Sequence, residues 1–159
     1  MRIINTGGTF NKRYDPIKGE LFVPKDDLAI ETILTSFAVD FPLQGIIYKD
    51  SLEMDVDDRI ILGETIAVCE EDVLVVVHGT DTMDLSAEYV AGLGLDKTVV
   101  FTGAMVPFHI DPIEATANLA MAIGYARNVS AGVYIVIQGV MGSFKQVKKN
   151  KSIGKFEYV

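Results

Sequence analysis

Two hydrophobic periods alternate along this chain, and that alternation limits its fold more than any other feature. Residues 72–77 and 132–137 are apolar at nearly every position. Between such runs lie longer stretches with apolar residues at helical spacing, as in Leu28, Ile30, Ile33, Leu34 and Phe37. A continuous apolar run suits a strand buried on both faces, and a 3.6-residue period suits a helix with one face on a core. The spacing predicts strands over 3–4, 45–48, 72–77, 98–101 and 132–137. It predicts helices over 27–38, 57–70 and 83–93, and a last one from Asp111 to about Arg127. The last helix is announced by Asp111-Pro112-Ile113-Glu114: an N-cap acid, a proline at the first helical position and a glutamate at the third. Strands alternating with helices imply crossover units and a parallel sheet covered on both sides. The predicted fold class is therefore α/β: an open three-layer, mostly parallel sheet of the Rossmann or flavodoxin-like kind.

At 159 residues the chain fits a single domain. The one cysteine, Cys69, suits a reducing compartment and excludes a cysteine metal cluster. No signal-peptide pattern opens the chain, and no apolar run is long enough to span a bilayer, so a cytoplasmic location is expected. The net charge of −8 argues against a nucleic-acid partner. The basic run Lys145, Lys148, Lys149, Lys151 and Lys155 reads by itself as a solvated face.

In open α/β sheets, sites form outside the carboxyl ends of the strands. Those ends carry Thr6-Gly7-Gly8-Thr9, Asp50-Ser51-Leu52, His78-Gly79-Thr80-Asp81-Thr82, Thr102-Gly103-Ala104-Met105 and Gln138-Gly139. Glycines there let backbone N–H groups approach a ligand and hold an anion or oxyanion. Neither phosphate-loop motif is met, and the two histidines have no metal-site spacing, so neither cofactor nor metal is expected. A threonine beside an aspartate, with a lysine from elsewhere, suits activation of a hydroxyl nucleophile. The competing reading is that Asp81 caps the helix near Met83 and that Thr80 serves its own loop. His78 reads as structural.

Thr6-Gly7-Gly8-Thr9, His78-Gly79-Thr80-Asp81-Thr82-Met83 and Val100-Phe101-Thr102-Gly103-Ala104-Met105, in this order and at strand ends, resemble the bacterial-type L-asparaginase/glutaminase family. The resemblance covers nearly the whole chain but only the family's amino-terminal domain, so 1–159 is expected to be one such domain without the usual smaller second one. It is most similar to short, single-domain asparaginase-like proteins.

The resemblance implies an amidohydrolase acting on L-asparagine or a related small amide. It makes Thr9 the nucleophile, Thr80 a second catalytic hydroxyl, and Asp81 the holder of the substrate ammonium and of the lysine. Ser51 would bind the substrate carboxylate, Gly8 and Gly79 the substrate through their loops, and Ala104 its amide through the backbone. Alignment on Val147 selects Lys149 as the catalytic lysine, and alignment on Asn150 selects Lys148; Lys149 is preferred. Tyr14 corresponds to a lid tyrosine, in a mobile flap over about 10–24 hinged at Gly19. Leu52 and Val106 depart from the family pattern, which has glutamine and frequently arginine there. A homo-oligomer is expected, because family sites are completed by a partner subunit. The alternatives are a weakly catalytic binding module for aspartate-like ligands, or a subunit of a larger amidase.

Overall fold

The computed structural model describes all residues, Met1–Val159. Its first half runs β1 (Arg2–Gly7), β2 (Arg13–Asp15), β3 (Glu20–Phe22), α1 (Leu28–Leu34), β4 (Leu43–Lys49), α2 (Val56–Val68) and β5 (Val73–Val77). Then follow α3 (Met83–Gly92), β6 (Thr98–Thr102), α4 (Pro112–Ala126), β7 (Gly132–Ile137), β8 (Val140–Ser143), β9 (Val147–Asn150) and β10 (Lys155–Tyr158). The central sheet has the order β4-β1-β5-β6-β7-β8, parallel except for β8, and β2-β3 and β9-β10 are separate antiparallel hairpins.

Alternate residues of each buried strand serve opposite faces of the sheet, as the pleat requires. Ile3, Val75, Val77, Val100 and Val136 pack with α1 and α4. Ile4, Leu74, Val76, Phe101, Ile135 and Ile137 pack with α2 and α3. Both faces are therefore apolar, which explains the unbroken hydrophobic runs. The expected three-layer α/β architecture is present.

One crossover departs from the usual rule. The step from β1 to β4 moves one way along the sheet with α1 on the first face. The steps to β5 and β6 move the other way with α2 and α3 on the second face, which is the same hand. The step from β6 to β7 continues in that direction, but α4 lies on the first face. Its hand is opposite to the other three. Right-handed crossovers are close to universal, so β6-α4-β7 is the left-handed one. It carries the chain after β6 to the face opposite α3.

Three local differences from the sequence expectation have physical causes. The first helix stops at Leu34 rather than 38, where the hydroxyls of Thr35 and Ser36 take the carbonyls of Thr32 and Ile33. The first strand extends through Asn5 and Thr6, because both polar side chains are buried and bonded. The expected flap is a β2-β3 hairpin, and Gly19 (φ 71) occupies its turn, with its N–H donating to Asp15, rather than a hinge. Ion pairs from Lys12 to Asp50 and from Arg13 to Asp26 pin the base of that hairpin.

Candidate active site

The site is built at the crevice between β1 and β5. The chain leaves β1 toward α1 on one face and leaves β5 toward α3 on the other, which makes this the topological switch point. Loops from the two strands meet there backbone to backbone. A Cβ on Gly8 (φ 78) would lie 2.4 Å from Cα of Gly79, and a Cβ on Gly79 would lie 2.6 Å from Cβ of Ser51. Only glycine permits this approach, and it brings three strand-end loops together. Thr6 ties the same strands two residues earlier, its hydroxyl donating to the Val77 carbonyl at 3.1 Å.

Thr9 opens a 3-10 turn directly after Gly8 and is half-buried. Its hydroxyl makes no hydrogen bond within the protein. Thr80 is buried, and Lys149 Nζ donates to its Oγ1 at 2.8 Å and to Asp81 Oδ1 at 2.7 Å. The Lys149 side chain is only 11% exposed. Lys148 and Lys149 alternate on β9, so one points in and the other out. The inward residue is Lys149, and the basic run is therefore not wholly a solvated face. Asp81 does not cap α3: the N-cap is Thr82, whose hydroxyl donates to the Ser51 carbonyl at 2.8 Å. The Asp81 N–H donates to Ser51 Oγ at 3.2 Å. A small cleft of about 50 Å3 lies behind Thr80, Asp81 and Lys149.

Backbone strain supports this arrangement. Tyr48 at the end of β4 has φ 60, a left-handed conformation that costs an aromatic residue about 1–3 kcal/mol. Its hydroxyl donates to Asp27 at 3.2 Å, and its ring fills the place of a side chain at Gly45. The resulting bulge brings Lys49 against Gly7, where its carbonyl accepts from Gly8 N–H at 2.8 Å. Asp50 and Ser51 follow at once. Burial would raise the Asp50 carboxyl, but Lys12, the Leu52 N–H and the nearby Lys149 hold it below its usual range.

The 103–106 turn is held by residues whose part the sequence did not disclose. Glu114 reads as a capping-box residue, but its carboxylate accepts from the N–H groups of Met105 (3.1 Å) and Val106 (3.0 Å). Asn118 Nδ2 donates to the Gly103 carbonyl at 2.9 Å, and its Oδ1 accepts from Gln138 N–H at 2.9 Å. Ala104 is thereby fixed and buried. The Asp50–Lys12 pair joins residues 38 positions apart, and Glu114 reaches back across a turn of irregular backbone; neither contact has a periodic signal in the sequence.

Not every expected residue converges. Tyr14 stands on the hairpin, 59% exposed, with no hydrogen bond from its hydroxyl. Leu52 is 70% exposed beside Ser51. An apolar recess of about 280 Å3 opens between the end of α3 and the starts of β6 and β7, but its one charged residue, Lys97, is held by the carbonyls of Cys69 and Glu71. It offers no reacting group.

Similarity to known proteins agrees with this geometry. The chain is 26% identical to L-asparaginase of Thermococcus kodakarensis over 157 residues, 96% of this chain and 48% of that protein. It is 35% identical over 91 residues to human 60 kDa lysophospholipase, 55% of this chain and 15% of that one. The solved structure of the thermostable L-asparaginase from Thermococcus kodakarensis superposes with a TM-score of 0.83 at 25% identity, covering 99% of this chain and 50% of that chain. The chain thus spans about half the length of the L-asparaginase it matches. Residues 1–155 match the family described as Asparaginase, N-terminal, and the chain belongs to that family.

Proposed function

We propose that this edge hydrolyses the side-chain amide of L-asparagine, or of a related small amide, through a threonine nucleophile. The observation that carries the reading is the buried lysine contact, with Lys149 Nζ at 2.8 Å from Thr80 Oγ1 and 2.7 Å from Asp81 Oδ1. Thr9, whose hydroxyl is uncommitted, attacks the amide carbon. The C–N bond breaks, and the nitrogen leaves as ammonia, taking up the proton that the Thr9 hydroxyl gives up on attack. Water then attacks the acyl ester, releases the carboxylic acid and restores the Thr9 hydroxyl. Thr80 relays protons and orients that water, and Lys149, oriented by Asp81, is the proton acceptor behind it. Asp81 also meets the substrate ammonium, Ser51 its carboxylate, and Ala104 its amide through the backbone. The N–H groups of the Gly8 and Gly79 loops face the developing oxyanion. Tyr14 completes the site when the hairpin settles over Thr9.

The site works best, in this reading, in a homo-oligomer whose neighbour covers the open edge, and the protein is cytoplasmic. No helix is long and apolar enough to cross a membrane. The experiment is ammonia release by the purified protein from L-asparagine, L-glutamine and small primary amides. Ammonia above background supports the reading, and none from any of them refutes it. Exposed Leu52 beside Ser51 favours a second reading, a binding module for aspartate-like ligands. A thermal shift with aspartate but no turnover identifies that case.

A further inference from the structure

His78 directly follows β5 and opens the turn that carries Thr80 and Asp81, yet the proposed chemistry leaves it unused. Its side chain is fully buried. It continues the alternation of Leu74 and Val76 toward the α2/α3 layer, and lies edge-on to Phe101 with centroids 5.9 Å apart. Its Nδ1 is 2.7 Å from the carbonyl oxygen of Gly79. A carbonyl only accepts, so Nδ1 carries the proton and Nε2 is a bare acceptor.

That acceptor has no partner in the protein. Two other buried side-chain atoms share the condition, and both are donors: Arg59 Nε on α2 and Ser86 Oγ on α3. Both helices flank the layer that His78 faces, and the Arg59 charge acts on the imidazole. Arg59 is held from its other side, its Nη1 donating to the carbonyls of Met54 and Asp55. One acceptor and two donors match the bonding capacity of a single water, which accepts twice and donates to Nε2. Buried polar groups are rarely left unbonded, so each of the three needs a partner that the protein's own side chains and backbone do not supply.

We propose that His78 is a positioning residue for Thr80 and Asp81, locked on one side by the Gly79 carbonyl and on the other by an internal water shared with Arg59 and Ser86. The Gly79 peptide is the lever. Its α-carbon is wedged between Gly8 and Ser51, and the His78 carbonyl abuts Gly103, so the orientation of its carbonyl sets the course of the chain into Thr80. Turning that peptide swings the Thr80 hydroxyl and the Asp81 carboxylate off Lys149. Burial keeps the imidazole neutral at neutral pH, so the lock does not titrate there.

Only the kinetic arm of the test rests on the proposed amidohydrolase reading. A long-range 15N spectrum of the labelled full chain at pH 7 is expected to show His78 protonated at Nδ1 and bare at Nε2. A bound-water cross-peak to its Hε1, lost in Ser86→Ala, is also expected. A proton on Nε2, or no water cross-peak in the unmodified protein, overturns the proposal even if no substrate is ever turned over. In kinetics, His78→Asn sets an amide N–H where Nδ1 stood, and His78→Gln sets one where Nε2 stood. His78→Asn is expected to stay within about threefold of the unmodified kcat, and His78→Gln to lose about tenfold or more with KM little changed. Equal kcat in both variants, whether retained or lost, overturns the positioning role. Absence of ammonia release by the unmodified protein refutes the amidase reading alone.

Discussion

Thr6 and Thr9 flank the same glycine pair, but their hydroxyls have different duties. The Thr6 hydroxyl is committed to the Val77 carbonyl, whereas that of Thr9 is free. Thr6→Ala is therefore expected to lower stability by about 1 kcal/mol in urea unfolding. Thr9→Ala is expected to abolish ammonia release while leaving the unfolding midpoint in place. The lysine choice is as sharp. Lys149→Met is expected to remove activity and Lys148→Met to keep it, because only the inward residue of β9 reaches Thr80. Here the sequence was nearly sufficient: both lysines stood out, and the strand register that separates them is a property of the hairpin. His78 adds a pH prediction. Burial, the larger influence, and the Arg59 charge lower its pKa to about 4, against the pull of the Gly79 carbonyl and Asp84. The unfolded chain takes up that proton first, so stability falls as pH drops below about 6.5 and the loss is complete below about 4. The gap corresponds to about 3 kcal/mol. Urea unfolding between pH 7 and 4 should show His78→Asn losing less than the unmodified chain over that window.

At the scale of elements, the strands with continuous apolar runs and the helices with a clear period were legible. The elements that escaped are short or polar. The Gln138-Gly139 link between β7 and β8 has φ 54 and 82 at its two residues, the conformation of a tight hairpin turn. Glutamine gives no signal for it, and it is held there because its N–H donates to Asn118 and its side chain bridges Glu114 and the Phe156 N–H. The β9-β10 hairpin reads as a charge run because Val147 and Phe156 are its only buried apolar residues. The left-handed step through α4 is invisible to periodicity, which reports which residues are buried but not on which side of the sheet a helix lands. That step places Glu114 under the 103–106 turn. Glu114→Ala strands two N–H groups, and is expected to lower stability by about 2 kcal/mol and to weaken activity together, while Glu114→Gln, which keeps one acceptor, loses less. Parallel urea and ammonia-release measurements on the two variants check this.

Over the whole molecule, two apolar layers clamp a sheet whose carboxyl edge is almost entirely polar, and the switch between β1 and β5 decides which loops touch. The fold class and the place of the site followed from that logic alone. The contacts among Thr80, Asp81, Lys149 and Ser51 did not, because they join residues up to 69 positions apart. A covalent intermediate on Thr9 is tested most directly by intact-mass analysis of the protein acid-quenched during turnover of L-asparagine, followed by peptide mapping. An acyl mass on the amino-terminal peptide, assigned to Thr9 and missing in Thr9→Ala, is the predicted result. Ammonia release with the acyl group on another residue, or with undiminished turnover by Thr9→Ala, would contradict it.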